Sequence, residues 1–475
     1  MKHLPRTTPC QAGIQPRALS QFLDRLSENG CHSVMIVRHG QVAAEGWWQP
    51  HSPEESHVLY SLSKSFVSTA VGFAVQEGLL HEDDRVLDFF PDLLPSPPCA
   101  NMEKLTVRHM LCMGTGQEEE PDIRQTREWR KNFLASYIPH EPGSLFHYNS
   151  MATYMLSAVV QKVTGQRVLD YLRPRLFEPL GIDAPDLHWE QSPEGIDCGG
   201  WGLFLRTEDI AKMGQFLLQK GEWEGKQLLM PDWIQKAGSA QIDNSLNAGW
   251  LDWYQGYGYQ FWMCSQEGVF RGDGAKGQYC VVMPKQDMVV AMTAGLSNMN
   301  LNLEAIWDCL LPGVQDEALC DEEAEQAVQN KLQSLQIPLV KGEKAGPSVA
   351  LWNNHTYAVG ENAMGIDRLS FAMEENGVVL TLARGAQVFS IKAGHQVWFQ
   401  NHLAIPAWLC TSGEYFDSEV GACYAINGDT MDVRLSFVRT TLCETFCFRF
   451  VENGFFAKVD ILPDHETHTL AGVVL

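Results

Sequence analysis

The chain has 475 residues, 45% hydrophobic and 20% charged, with 35 Lys and Arg against 58 Asp and Glu for a net charge of −23. That balance is globular. It excludes a disordered, collagen-like or coiled-coil chain and suits two or three domains. It also speaks against nucleic acid or an anionic membrane as partner, because both require clustered cations.

The N-terminal stretch MKHLPRTTPCQAGIQPRALSQFL lacks the apolar core of a signal peptide, and no run approaches the ~20 apolar residues of a membrane span. Thirteen Cys lie scattered without framework spacing or a C-x-x-C pair, which reads as free thiols in a reducing compartment. A cytoplasmic protein is expected. Composition carries no information on oligomeric state.

Ser33–His39 (SVMIVRH) and Gln41–Trp47 (QVAAEGW) are apolar runs divided by Gly40, the pattern of a hairpin. Ser61–Leu79 is apolar at helical spacing and meets Gly78 near its end, predicting a buried helix. Helical periodicity recurs at 105–113, 151–165, 167–178 and 207–220. Tyr259–Cys264, Gln278–Met283 and Met288–Thr293 then read as strands. Strands at both ends with helices between predict an α/β (α+β) fold, one antiparallel sheet packed by helices rather than regular βαβ units. Residues 315–335 are acidic with a helical pattern, and Lys341–Ser348 (KGEKAGPS) marks a boundary. Beyond it VVLTLA, VFSIKA, DVRLSFV, TFCFRFV and FFAKVDIL are short strand patterns. Residues 1–335 are thus expected to form one domain, and 345–475 a small all-β sandwich or barrel.

Two motifs fail on context. Gly272-Asp273-Gly274-Ala275-Lys276-Gly277 satisfies G-x-G-x-x-G, but a strand pattern, QYCVVMP, follows where a phosphate-binding helix would have to start. His465-Glu466-Thr467-His468 is too short for the zinc motif H-E-x-x-H. No metal and no cofactor are expected. Ser61-Leu62-Ser63-Lys64 is different, because residues three apart share a helix face. A serine hydroxyl becomes a nucleophile when a base removes its proton, and a desolvated Lys can serve. A helix N-terminus adds a backbone N–H beside the hydroxyl. The other reading of the same four residues is Ser61 as a helix cap with Lys64 snorkelling outward.

A second element bears on that choice. Pro142–Ser150 (PGSLFHYNS) is a turn followed by aromatic residues and a helical run. With LYSLSKSFVSTAVGFAVQEGLL, LTVRHMLCMGTG, GGWGLFLRTEDIAKMGQFLLQKG, GYGYQFW and GDGAKGQYCVVMP, it resembles the family of class C β-lactamases, penicillin-binding proteins and related serine esterases. The likeness runs from about residue 12 to 312 and leaves out the tail. It implies that Ser61 is the acylated nucleophile, Lys64 its partner, and Tyr148 the tyrosine that relays the proton, a role that needs Lys64 to stabilise its phenolate. It also implies an oxyanion hole from the backbone N–H groups of Ser61 and Ala275, with Ser150, Trp201 and Gly274 contacting substrate.

The chain departs from the family at two points. Ser150 stands where the Y-x-N motif has Asn, with Asn149 one position early. Gly272 replaces the Lys or His that meets the carboxylate of a β-lactam, a charge-assisted hydrogen bond worth about 1.5–3 kcal/mol. Asp273 is either solvent-exposed or functional, and Trp201 and Trp262 either line the cleft or belong to the core. The resemblance therefore implies a serine hydrolase of small esters or amides, of the 6-aminohexanoate-dimer kind, and a poor β-lactamase. The alternatives are a D-amino-acid-specific peptidase or amidase with the same three residues, or an inactive binding protein on this fold.

Overall fold

The computed structural model describes residues 3–94, 97–185, 187–247, 249–405 and 416–475. Its central sheet consists of β1 (Cys31–Arg38), β2 (Gln41–Trp47), β3 (Trp262–Met263), β4 (Phe270–Gly274), β5 (Gln278–Met283) and β6 (Met288–Ala294). The spatial order is β2-β1-β6-β5-β4-β3, with antiparallel pairing throughout. All eight residues of β1 are buried because both faces of the sheet are covered. Side chains alternate across a strand, so Val34 and Ile36 enter one core while Met35 and Val37 enter the other.

Four helices matter for the site: α1 (Pro16–Glu28), α2 (Ser63–Gln76), α3 (Ser150–Thr164) and α4 (Thr207–Leu218). Leu19, Phe22, Leu23 and Leu26 of α1 pack on one face of the sheet together with Tyr279 and Val281. Ile210, Met213 and Phe216 of α4 pack on the other face with Val282 and Val289. Within α2 every residue from Ser63 to Ala74 is buried, so it is the central post of the helical layer.

Several elements are shorter than their patterns suggest. The helix expected from Ser61 begins two residues later, behind a 3-10 turn over Tyr60–Leu62. The strand expected at Tyr259–Cys264 narrows to β3, because Gln260 has φ +65° and breaks the extended backbone. The run 167–178 is a short helix, Val168–Leu172, continued by a π-helical turn, Arg173–Phe177, where Pro174 has no N–H to donate. The acidic stretch 315–335 is helical over Glu322–Gln333, capped by the Asp321 carboxylate on the Ala324 N–H.

The C-terminal strands run from His355–Val359 to Glu466–Val474 in one ten-stranded sheet. Parallel pairing of Gly394 with Cys423 and His395 with Tyr424 closes it, so of the two expected forms it is the barrel. Along Cys443–Val451, Phe446, Phe448 and Phe450 point inward while Cys447, Arg449 and Val451 face out. Phe371 packs edge-on against Phe448 at 4.9 Å in that core. The described cysteines are all free, and Cys410 lies outside the described residues.

Close approach of α4 to the sheet depends on Gly214. A Cβ there would lie 2.4 Å from Val289 Cγ1 and 2.9 Å from Cys280 Sγ. Gly214→Ala should therefore destabilise by about 1–3 kcal/mol through overpacking, even though Ala is the better helix former by ~1 kcal/mol. Urea unfolding measures the sign, and a more stable variant would show that α4 can lift off the sheet.

Candidate active site

Two glycines let β4 lie against the turn that carries Ser61. A Cβ on Gly274 would sit 2.0 Å from the Leu59 carbonyl oxygen, and one on Gly272 would sit 2.5 Å from both Leu62 Cδ1 and Ser65 Oγ. At Gly274 the neighbour is backbone and cannot give way, and at Gly272 a side chain would have to push Leu62 and Ser65 aside. The same contact fills the space that a cation at position 272 would need. The end of β4, and with it Ala275, is thereby held beside the turn Tyr60–Leu62.

Lys64 lies one helical turn beyond Ser61 and is 1% exposed, which rules out snorkelling. Its Nζ donates to Ser61 Oγ at 2.9 Å, to Ser150 Oγ at 3.2 Å and to the Gly200 carbonyl at 2.7 Å. These are three acceptors for three N–H bonds. Burial pulls the Lys64 amine down to about 7, against the opposing pull of the Glu120 and Asp273 carboxylates.

The Tyr148 hydroxyl neighbours the Ser61 hydroxyl, and Lys64 Nζ lies 4.7 Å from its ring centroid. The expected stabilisation of a phenolate is not what the surroundings provide. Desolvation, with Asp273 and Glu120 nearby, raises the phenol above its ordinary value, so Tyr148 rests as a neutral O–H. Asn149, the displaced Asn of the motif, is used as the cap of α3. Its Oδ1 accepts from Ala152 N–H at 3.0 Å and its Nδ2 donates to Gln117 at 2.7 Å. Ser150 is left to face Lys64, while its own N–H donates to Glu120 Oε2 at 2.5 Å.

Asp273 is buried, which settles against exposure. It accepts from Arg271 Nε at 3.0 Å, and Arg271 is itself fully buried, donating to the carbonyls of Asp252 and Met263. The guanidinium also lies 4.3 Å from the Trp253 ring. Arg271 therefore cancels most of the negative charge expected at Asp273 without presenting a cation to the cleft. Trp262 stacks on Tyr148 at 5.3 Å and meets Tyr257 edge-on at 4.9 Å, forming a wall behind the phenol. Trp201 follows Gly200, whose carbonyl meets Lys64; its indole N–H donates to Glu190, and it lines a cavity of about 600 Å³ with Arg124, Trp129 and Cys198. The sequence reading missed the Gly200 carbonyl, Glu120 and Arg271. A backbone acceptor has no residue signature, but the charge beside Gly272 was a signal available to it.

The sequence pattern of the Beta-lactamase family matches residues 19–303. A 6-aminohexanoate-dimer hydrolase of Paenarthrobacter ureafaciens is 24% identical over 309 residues, covering 60% of this chain and 78% of its own. Penicillin-binding protein 4 of Amycolatopsis lactamdurans is 25% identical over 281 residues, covering 49% and 70%. Among solved structures, EstCE1, a hydrolase with promiscuous acyltransferase activity, superposes with a TM-score of 0.50 at 19% identity, covering 62% of this chain and 99% of that one.

Removing the charge of Asp273 strands a buried guanidinium. Asp273→Asn should cost about 3 kcal/mol, in the range for breaking a buried pair from one side. Chemical denaturation measures it, and an unchanged midpoint would mean that the Asp252 and Met263 carbonyls alone satisfy Arg271.

Proposed function

The chain belongs to the beta-lactamase family, and from that premise we propose that it is a serine hydrolase cleaving small esters or amides through an acyl-enzyme on Ser61. The observation that carries this reading is the dry Lys64 amine, 2.9 Å from the Ser61 hydroxyl. A buried lysine held near neutrality is suited to general-base work at physiological pH.

The steps follow from the contacts. Neutral Lys64 accepts the Ser61 proton as Oγ attacks the substrate carbonyl. In this reading the oxyanion that forms faces the N–H groups of Ser61 and Ala275, and the close approach of β4 to the Ser61 turn supports that pairing. Tyr148, protonated at rest, gives its proton to the leaving oxygen or nitrogen and recovers one from Lys64. A water then attacks the acyl-enzyme with the same groups as base and acid, releasing the acid and restoring Ser61. No metal or cofactor enters these steps.

Substrate charge is the basis for choosing esters over β-lactams. Position 272 offers no side chain, Arg271 is enclosed, and the exposed Glu120 carboxylate stands beside Ser150. An anionic substrate finds no cation at position 272 and meets the Glu120 carboxylate beside Ser150, and like charges weaken binding. An uncharged ester escapes that penalty.

Ser61→Ala should abolish both hydrolysis of p-nitrophenyl acetate and labelling by a fluorophosphonate probe while the circular dichroism spectrum stays native. A variant that still turns over at the wild-type rate would remove Ser61 from the mechanism. On wild-type protein, kcat/KM for p-nitrophenyl butyrate should exceed that for nitrocefin by at least tenfold. Equal values would mean that some other residue supplies the missing cation.

A further inference from the structure

Two residues flanking the oxyanion donors hold backbone conformations that side chains rarely adopt. Tyr60, immediately before Ser61, has φ +46°, and Lys276, immediately after Ala275, has φ +67°. Neither is glycine, so each conformation must be held by its surroundings. In both cases a holding partner comes from the C-terminal barrel. The Tyr60 hydroxyl lies 3.1 Å from Thr441 Oγ1, on the connection between the strands Thr430–Phe437 and Cys443–Val451. The Lys276 ammonium is bonded to Asp464 on the turn between Gly454–Leu462 and Glu466–Val474.

These are separate hairpins of one barrel reaching separate halves of the site, and each is anchored further. Val58 N–H donates to the Arg439 carbonyl at 2.9 Å, fixing the first hairpin to the strand that leads into the Ser61 turn. Thr441 is 2% exposed, and its carbonyl packs so close to Gly295 that a Cβ there would lie 2.6 Å from it. On the second hairpin, Ser297 Oγ donates to the Pro463 carbonyl at 2.5 Å and lies 3.1 Å from Asp464 Oδ1. A barrel that served only as ballast would have no need to grip the two residues adjacent in sequence to the two donors.

We infer that the barrel is part of the acyl-transfer machinery, with Thr441 and Asp464 as positioning residues that set the aim of the Ser61 and Ala275 N–H groups. The inference rests on the serine-hydrolase reading above and extends it to residues outside the family-matched region. Neither residue touches substrate. Each acts through a strained neighbour, so losing it should loosen the oxyanion hole without removing a donor.

The test uses the full-length chain, Thr441→Val and Asp464→Ala, with Thr441→Ser as the rescue that keeps the hydroxyl. Each of the first two should lower kcat on p-nitrophenyl acetate about three- to tenfold, short of the ~10²–10³ lost when a donor is removed outright. KM should stay within about twofold. Affinity for phenylboronic acid, whose tetrahedral adduct places an oxygen in the hole, should fall in step with kcat, and Thr441→Ser should restore both. Asp464 lies on an exposed turn, so its variant carries the test if Thr441→Val does not fold. Wild-type kcat and boronate affinity in a folded variant would overturn the inference alone. So would a fall in kcat with boronate affinity unchanged. A wild-type protein that neither hydrolyses the ester nor reacts with fluorophosphonate would overturn the serine-hydrolase reading and this inference together.

Discussion

An amine kept out of water is the constraint on which the site depends. Lys64 sits in the most deeply packed helix of the catalytic region, where a lysine is costly unless every N–H finds an acceptor. Its three acceptors come from the turn before α2, from the start of α3 and from the Gly200 loop. Those segments are far apart in sequence, so the fold has to converge on one nitrogen. The Asn149 cap that starts α3 and the glycines that admit β4 serve that convergence as much as they serve stability.

The same logic explains what has become of the third family motif. Where relatives project a cation from the edge strand, this chain has Gly272, whose missing side chain is the space now filled by Leu62 and Ser65. A cation is present one residue earlier, yet Arg271 is turned into the protein and spent on Asp273, the Asp252 and Met263 carbonyls and the Trp253 face. Charge that elsewhere recognises substrate is here part of the interior. The cleft mouth is left to Glu120 and the aromatic wall of Tyr148, Trp262 and Tyr257.

Much of this was legible in the residues themselves. Continuous apolar runs mark β1, β2, β5 and β6, and the Phe-x-Phe-x-Phe stretch at 446–450 marks a strand with one dry face. The S-x-x-K spacing and the aromatic turn at 142–150 pointed to the segments that meet. What could not be read was set by tertiary contact. The apolar pattern predicts α2 from Ser61, two residues early, because a three-residue 3-10 turn is too short for its tighter period to show in the sequence. The resemblance implies a stabilised phenolate at Tyr148, but a motif carries no information on desolvation, which raises the phenol. The GGWG setting leaves Trp201 open between cleft and core, and only the structure shows its ring beside Trp129 and its indole N–H on Glu190. The grip of the barrel on Tyr60 and Lys276 spans more than 180 residues of sequence, beyond the reach of any local pattern.

We propose that Lys64, kept dry by burial, is the base that activates Ser61. The pH dependence of fluorophosphonate inactivation tests it directly, since that reaction needs the nucleophile and its base but no second substrate. Lys64 acts when deprotonated, and its depressed pKa places that form above about 7. The inactivation rate should climb roughly tenfold per pH unit below that point and level off above it. A rate that continues to rise toward the ordinary lysine value of about 10.4 would contradict the account.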